Sequence, residues 1–539
     1  MPQMTGGQAL VESLKRHGLE VIFGLPGVQL DWAFDALYDA QDAIHVYHTR
    51  HEQATSYMAD GYARSTGKIG ACLVVPGPGL MNAMAGLSTA YACSSPVLCI
   101  AGQIESEQIN VGRGMLHEVP NQLQMIGSAT KWAACAMTPA EVPGIVQEAF
   151  RQLRSGRPRP VEIEIPPDVL AATGEVTLLD PAPLEKATAD ADKIEQAAKA
   201  LGEAKSPIIF AGGGIMLANA SEALKELAEM LQAPVVMSAE GKGAISDHSY
   251  LAQTVIGGRR LTPKADVILA VGTRFLQPAT SPWGPNDQQT VIQIDIDPTE
   301  VGRNRTPNIG IVADANLALR ELVDRVGKHN HKRESREEEL SALKEQANDI
   351  VFEVQPQASY GMTLREEMGE DDILISGMTQ VGYWSNLGFP VYKPKTFIGA
   401  GYQGTLGYEI GTALGAQVGN PDKRVVAVCG DGGFLYQIQE LSTAMRHKIP
   451  AVLIVFNDSA FGNVRRIQKE RFNGRTIGSD LLNPDFVKLA DSFGMEGIRA
   501  NGPEGLRDAL RHALKKDEAT LIEVPVGEMP STWSILRGN

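Results

Sequence analysis

Apolar residues along this chain alternate between helical spacing and short unbroken runs, and that alternation predicts its elements. From about Gln8 they fall on one helical face, with Leu10 and Leu14, until Gly18 stops the helix. Val21 to Phe23 then read as a short buried strand that enters the turn Gly24-Leu25-Pro26-Gly27. The same order recurs: strand Cys72 to Val75, a glycine–proline turn Pro76 to Gly79, an alanine-rich helix near Asn82 to Ala92, and strand Pro96 to Ala101. Repetition of strand, turn, helix and strand predicts an α/β fold built on a parallel sheet.

This first block closes where the strand-like Val161-Glu162-Ile163-Glu164-Ile165 meets Pro166-Pro167, and its bounds are set at 1–172. A second α/β block, 190–328, contains strand Pro207 to Ala211, the turn Gly212-Gly213-Gly214, a helix through Leu231, and strands near Val235 and Val267 to Val271. Residues 329–354 are densely charged and read as a solvated helix or linker, which makes solvated side chains of His329 and His331. The third block, 355–539, is best defined by strand Arg424 to Cys429, helix Leu435 to Arg446 and strand Ala451 to Phe456. Three parallel-sheet α/β domains in series are therefore expected.

Composition agrees with several packed cores: the 539 residues are 43% apolar and 21% charged. With 49 basic against 64 acidic residues and a net charge of −15, the global attraction for phosphate that a nucleic-acid binder needs is missing. The five cysteines form no C-x-x-C pair, so buried free thiols in a reducing compartment are expected. The amino terminus has no basic-then-apolar leader, and no window approaches a membrane span. The chain is expected in the cytoplasm, without a membrane or nucleic-acid partner.

The most specific chemical pattern is Gly430-Asp431-Gly432-Gly433-Phe434 after one predicted strand, with Asn457-Asp458 after the next. In a doubly wound sheet the carboxyl ends of neighbouring strands meet at a crevice where ligands bind, so Asp431 and Asp458 should converge. The flanking glycines let the main chain approach a ligand, and the N–H groups of the following helix suit an anion. Two carboxylates there match the oxygen donors Mg²⁺ takes when it bridges protein to diphosphate. The alternative is a plain strand-turn-helix, because Gly-Asp-Gly is common in loops.

Gly-Asp-Gly followed by an Asn-Asp pair, with Asp458 27 positions after Asp431, resembles the thiamine diphosphate motif of the acetohydroxyacid synthase and pyruvate decarboxylase superfamily. The resemblance implies Asp431, Asp458 and the main-chain carbonyl of Ala460 as ligands of Mg²⁺, with Gly430, Gly432, Gly433, Phe461 and Gly462 by the diphosphate. Thr49-Arg50-His51-Glu52-Gln53-Ala54, leading to Gly61-Tyr62-Ala63-Arg64, looks like the family's activating-glutamate segment, and Pro76-Gly77-Pro78-Gly79-Leu80-Met81-Asn82 like its downstream turn. Glu52 would then hydrogen-bond N1′ of the aminopyrimidine, which promotes deprotonation of the thiazolium C2; a desolvated carboxyl with a raised pKa is expected for that task. Read alone, Glu52 is an ordinary first-turn acid. Gly404-Thr405-Leu406-Gly407 resembles the segment whose carbonyl (Gly404) meets the 4′-amino group and whose apolar side chain (Leu406) wedges between the rings. Pro26, Pro76, Asn82, Val381 and Gly382 complete the cofactor contacts that the resemblance implies.

Over nearly the whole chain the likeness implies pyrimidine-binding (1–172), middle (190–328) and diphosphate-binding (355–539) domains. It also implies a homodimer as the minimum active unit, with a homotetramer open. The implied activity is that of an acetolactate synthase-like carboligase: decarboxylation of a 2-oxo acid to an enamine, then transfer to an acceptor carbonyl. Alternatives are a 2-oxo acid decarboxylase, a 2-hydroxyacyl-CoA lyase and a non-catalytic cofactor-binding homologue; intact Glu52, Asp431 and Asp458 argue against the last. Departures from the synthases occur at Gln380-Val381-Gly382-Tyr383-Trp384, at His117-Glu118 and at Gly462-Asn463-Val464-Arg465-Arg466-Ile467. They make His117, Glu118, Arg465 and Arg466 candidate substrate contacts. Gly272-Thr273-Arg274-Phe275 lacks the Asp-Asp-Arg that follows in flavin-binding members, and Gly212-Gly213-Gly214 misses G-x-G-x-x-G. Both departures speak against FAD.

Overall fold

The computed structural model describes residues 2–537. It contains three six-stranded, all-parallel sheets, each flanked by helices. The first runs in the spatial order His45–His48, Val21–Gly24, Gly70–Val74, Val97–Gly102, Val161–Ile165, Trp132–Cys135. The second runs Ala252–Gln253, Val235–Met237, Pro207–Ala211, Val267–Val271, Thr290–Asp295, Ile309–Val312. In the third the order is Phe397–Gly399, Ile373–Ser376, Val425–Gly430, Val452–Asn457, Thr520–Pro525, Glu496–Arg499. Most central strands are unbroken buried apolar runs, as a parallel sheet covered on both faces requires.

Each sheet is wound outward in both directions from an inner pair, and the carboxyl ends of that pair mark its ligand crevice. In the first sheet the pair is Val21–Gly24 and Gly70–Val74, whose crests carry Pro26 and Pro76. In the third it is Ile373–Ser376 and Val425–Gly430, whose crests carry Gly377 and Asp431. The middle pair is Pro207–Ala211 and Val267–Val271, and the backbones of its crests approach closely: a Cβ on Gly212 would overlap the Gly272 carbonyl, and one on Gly214 would lie 2.6 Å from the Gly272 Cα, while a cavity of about 350 Å³ opens beside Gly214 and Gly272. Gly212-Gly213-Gly214 is thus a tight turn made for backbone contact.

Several elements depart from the sequence reading. The helix expected near Asn82 begins at Pro78 and runs to Cys93. Pro78 sits at its first turn, where a missing N–H is harmless, so the turn shrinks to Gly77 with φ 58°. The helix expected over Leu435 to Arg446 is divided into a single turn Asp431–Phe434 and a helix Glu440–His447. Tighter bonds intervene, Tyr436 N–H to Gly433 O at 3.0 Å and Gln437 N–H to Phe434 O at 3.2 Å. Within the charged 329–354 stretch, Glu337–Phe352 is a helix that buries Leu340 against the middle core and Ala347 and Val351 against the third. His329 there binds Glu195 at 2.7 Å.

The first and third domains share one core in which helix Glu52–Thr66 lies on helix Glu409–Gly419. Glycines set that approach. A Cβ on Gly61 would overlap the Thr412 carbonyl, and one on Gly415 the Met58 carbonyl. Because backbone cannot yield as a side chain can, Gly61→Val should destabilise the protein by about 3 kcal/mol, at the upper end for overpacking. Guanidinium unfolding monitored by far-ultraviolet circular dichroism measures it, and an unchanged midpoint would show that the two helices are not held this closely.

Candidate active site

At the crest of the third sheet, strand Val425–Gly430 delivers Asp431 into the turn Asp431–Phe434, and strand Val452–Asn457 delivers Asp458 beside it. Burial raises the Asp431 carboxyl above the usual carboxylate range. Asp458 is pushed up to about 6, by burial first and then by the charge of Asp431. The two acids therefore face each other, and the Ala460 amide donates to both. Arg465 approaches Asp458 Oδ2 only to 3.8 Å and gives its closer bond, 3.2 Å, to Asp480. A narrow cavity of about 60 Å³ opens on the pair, bounded by Thr379, Gly430, Ala460, Gly462 and Met529.

Glycine is needed around this pair on steric grounds. A Cβ on Gly432 would stand 2.6 Å from the Phe461 ring, and one on Gly462 would overlap Asp458 Oδ2. Val381 and Gly382 are buried in the first turn of helix Gln380–Gly388, which the Thr379 hydroxyl caps by accepting the Val381 amide at 3.2 Å. Gly404 adopts the left-handed conformation, φ 59°, with Leu406 half-buried two residues later.

Sequence reasoning missed Asn483. Its side-chain amide donates to Asp431 Oδ2 at 2.6 Å and to Asn457 Oδ1 at 2.9 Å, which fixes the acid against the neighbouring strand end. Its own buried Oδ1 has no hydrogen-bond partner. The only local signal was Asn483-Pro484, a common turn pair. Removing the donor takes the side-chain partner from the buried Asp431 Oδ2, while Asn457 Oδ1 keeps the Ser459 amide at 3.2 Å, so Asn483→Ala should cost about 1–3 kcal/mol of stability. A thermal melt reads this; the same midpoint as the parent would remove Asn483 from the site.

The first domain brings its predicted residues together at the amino end of helix Glu52–Thr66. Glu52 opens helix Glu52–Thr66 and is half-buried, and Asn82 Nδ2 donates to its Oε2 at 3.0 Å. Gly79 lies against the same carboxyl, where an added Cβ would be 3.5 Å from Oε1. The Gly77 amide next to Pro76 donates to Gln122 Oε1 at 2.7 Å, and Gly27 next to Pro26 packs on Val75. None of these first-domain residues bounds the Asp431–Asp458 cavity.

The four candidate substrate contacts are divided between the first and third domains. Glu118 closes its own loop, accepting the Gly112, Gly114 and Met115 amides at 2.9, 2.6 and 2.8 Å. His117 has φ 68° and a buried Nδ1 without a partner. Arg466 is 8% exposed and binds Glu470 at 2.7 Å and Asn463 at 2.8 Å, whereas Arg465 stands at the acid pair. No hydrogen bond joins His117 or Glu118 to either arginine among the described residues.

Comparison with known proteins accounts for this arrangement. Residues 4–125 match the thiamine pyrophosphate enzyme N-terminal TPP binding domain, 194–322 the central domain, and 377–524 the C-terminal TPP binding domain. The probable acetolactate synthase large subunit of Methanococcus aeolicus is 32% identical over 97% of this chain and 92% of its own length. The acetolactate synthase isozyme 3 large subunit of Escherichia coli is 33% identical over 96% and 93%, and the acetolactate synthase large subunit of Haemophilus influenzae 33% over 100% and 97%. The chain belongs to the thiamine pyrophosphate enzymes of the acetolactate synthase and pyruvate decarboxylase superfamily. It is a thiamine diphosphate-dependent enzyme that makes or breaks carbon–carbon bonds, and it is acetolactate synthase-like along its whole length.

Proposed function

We propose that the enzyme decarboxylates a 2-oxo acid and joins the remaining acyl carbon to the carbonyl of a second substrate. The observation that carries this reading is the acid pair Asp431–Asp458 at the switch point of the third sheet, in a chain similar throughout to acetolactate synthase large subunits. Two converging carboxylates, Asp431 buried and Asp458 half-buried, are each raised above the ordinary range, with Arg465 no nearer than 3.8 Å to Asp458. A divalent cation supplies a nearer positive charge, and the hard oxygen donors together with the glycine-lined turn suit Mg²⁺ bound to diphosphate. Asp431, Asp458 and the Ala460 carbonyl would hold the cation, and the Gly432 and Gly433 amides would meet the phosphates.

Bound thiamine diphosphate supplies a carbon nucleophile and an electron sink for the departing carboxylate. Glu52 holds the proton that passes to and from N1′ of the pyrimidine, and Asn82 orients its carboxyl. The Gly404 carbonyl receives the 4′-amino group, and Leu406 keeps the two rings folded together. Pro26, Pro76, Val381 and Gly382 shape the walls, while His117, Glu118, Arg465 and Arg466 meet the substrate. Glu118 serves by holding the loop that presents His117.

A homodimer in which Glu52 of one subunit serves the acid pair of the other is supported by the absence of Glu52 and Asn82 from the lining of the Asp431–Asp458 cavity. The missing Asp-Asp-Arg after Gly272-Thr273-Arg274-Phe275 supports a middle domain without FAD. Among the described residues no helix is long and apolar enough to cross a membrane, and we place the enzyme in the cytoplasm. Purified protein with thiamine diphosphate, Mg²⁺ and a panel of 2-oxo acids should release CO₂ and form an acetohydroxy acid. Aldehyde as sole product would overturn the carboligase reading in favour of a decarboxylase or lyase.

A further inference from the structure

Glu409 opens helix Glu409–Gly419 and is only 1% exposed, yet no role given above uses it. Its Oε1 accepts the Met378 amide at 3.0 Å, and the Gly407 amide lies near the carboxyl. A Cβ on Gly377 would lie 2.6 Å from Oε1, and one on Gly433 3.8 Å from Oε2. Gly433 and Gly407 are themselves in close approach, since a Cβ on Gly433 would stand 3.0 Å from the Gly407 nitrogen. One carboxyl thus lies beneath three turns: 377–379 after strand Ile373–Ser376, 404–407, and 430–433 after strand Val425–Gly430. Its Oε2 is buried without a hydrogen-bond partner.

The titratable groups that feel this carboxyl are Tyr408 beside it, Tyr57 from helix Glu52–Thr66, Tyr383 from helix Gln380–Gly388, and Cys429 from strand Val425–Gly430. All four are neutral or negative, so none compensates an ionised Glu409. Its position at a helix amino terminus favours the anion by only a fraction of what burial costs it. Burial pushes the group up to about 7.

We propose that Glu409 is a positioning residue for the cofactor: its carboxyl holds the three turns in register and must be neutral for a diphosphate to rest on them. Once ionised, it would set an uncompensated negative charge directly behind the turn that receives the anion. This rests on the reading that the turns 404–407 and 430–433 hold thiamine diphosphate. Deprotonation should weaken cofactor binding, and a neutral isostere should lack this contribution to the pH dependence.

The test is titration of thiamine diphosphate with Mg²⁺ into the wild type and Glu409→Gln, from about pH 6 to about pH 8.5, followed by tryptophan fluorescence or calorimetry. Ionisation of the diphosphate and of the two aspartates affects both proteins alike and cancels in the ratio of their dissociation constants. That ratio, wild type over variant, should be close to one at about pH 6 and rise to roughly tenfold by pH 8, as one linked proton requires. A flat ratio with tight binding overturns this proposal alone; no binding by the wild type at any pH overturns the site assignment with it. Should Glu409→Gln not fold, infrared spectra of wild type carrying ¹³C-labelled glutamate carboxyls decide. A protonated glutamate band lost on raising the pH should return when cofactor is added, and a band indifferent to cofactor would overturn the proposal.

Discussion

Glu52→Gln should slow turnover by about 10²–10⁴-fold, the usual loss when a general acid–base group is removed. Glutamine preserves the size of the side chain and can still hydrogen-bond Asn82, whose Nδ2 now donates to Glu52 Oε2 at 3.0 Å. What it cannot do is pass a proton to and from N1′ of the pyrimidine. Exchange of the cofactor C2 proton should therefore slow in parallel with turnover, as deuterium incorporation followed by NMR would report. Cofactor affinity should change little, because most of the anchoring belongs to the acid pair. Wild-type exchange in this variant would remove Glu52 from the activating role and the pyrimidine-domain assignment with it.

Asp431→Ala has the opposite signature. Asp431 stands 2% exposed at the end of its strand, with Asn483 fixing one oxygen and the Ala460 amide donating to the carboxyl. Loss of this carboxylate leaves Asp458 as the single acidic ligand for the cation. Cofactor affinity should fall by more than about 100-fold, the upper limit seen for removing even an outer partner of a metal ligand. Chelating the divalent ion from the wild type should release cofactor in the same way. Equilibrium dialysis measures both, and full retention in either case would contradict a cation-bridged diphosphate.

How far these residues were legible in the sequence depended on whether their neighbours in the chain were also their neighbours in space. Asp431 and Asp458 follow apolar runs that could only be buried strands, and glycines mark where a ligand or another backbone comes close. Asn483 could not be found that way, because it reaches Asp431 from a loop 52 residues further on. Glu409 looks in sequence like any first-turn acid; only the tertiary contacts of Gly377, Gly407 and Gly433 show that it is enclosed. Strands His45–His48 and Trp132–Cys135 escaped notice because both are short sheet edges, only partly buried. The charged stretch was legible as a helix or linker, but not the burial of one face of Glu337–Phe352: it buries only three residues, Leu340, Ala347 and Val351, and in two different cores.

The proposal that Glu52 of one chain and the Asp431–Asp458 pair of another serve one cofactor is tested most directly by mixing two dead variants. Co-expressed Glu52→Gln and Asp431→Ala chains should form mixed dimers in which one of the two sites combines an intact Glu52 with an intact Asp431. With random pairing in a symmetric dimer, carboligase activity should return to about a quarter of the wild-type value per chain. Activity no greater than that of the two variants assayed separately would show that both residues act within a single chain, or on no common cofactor.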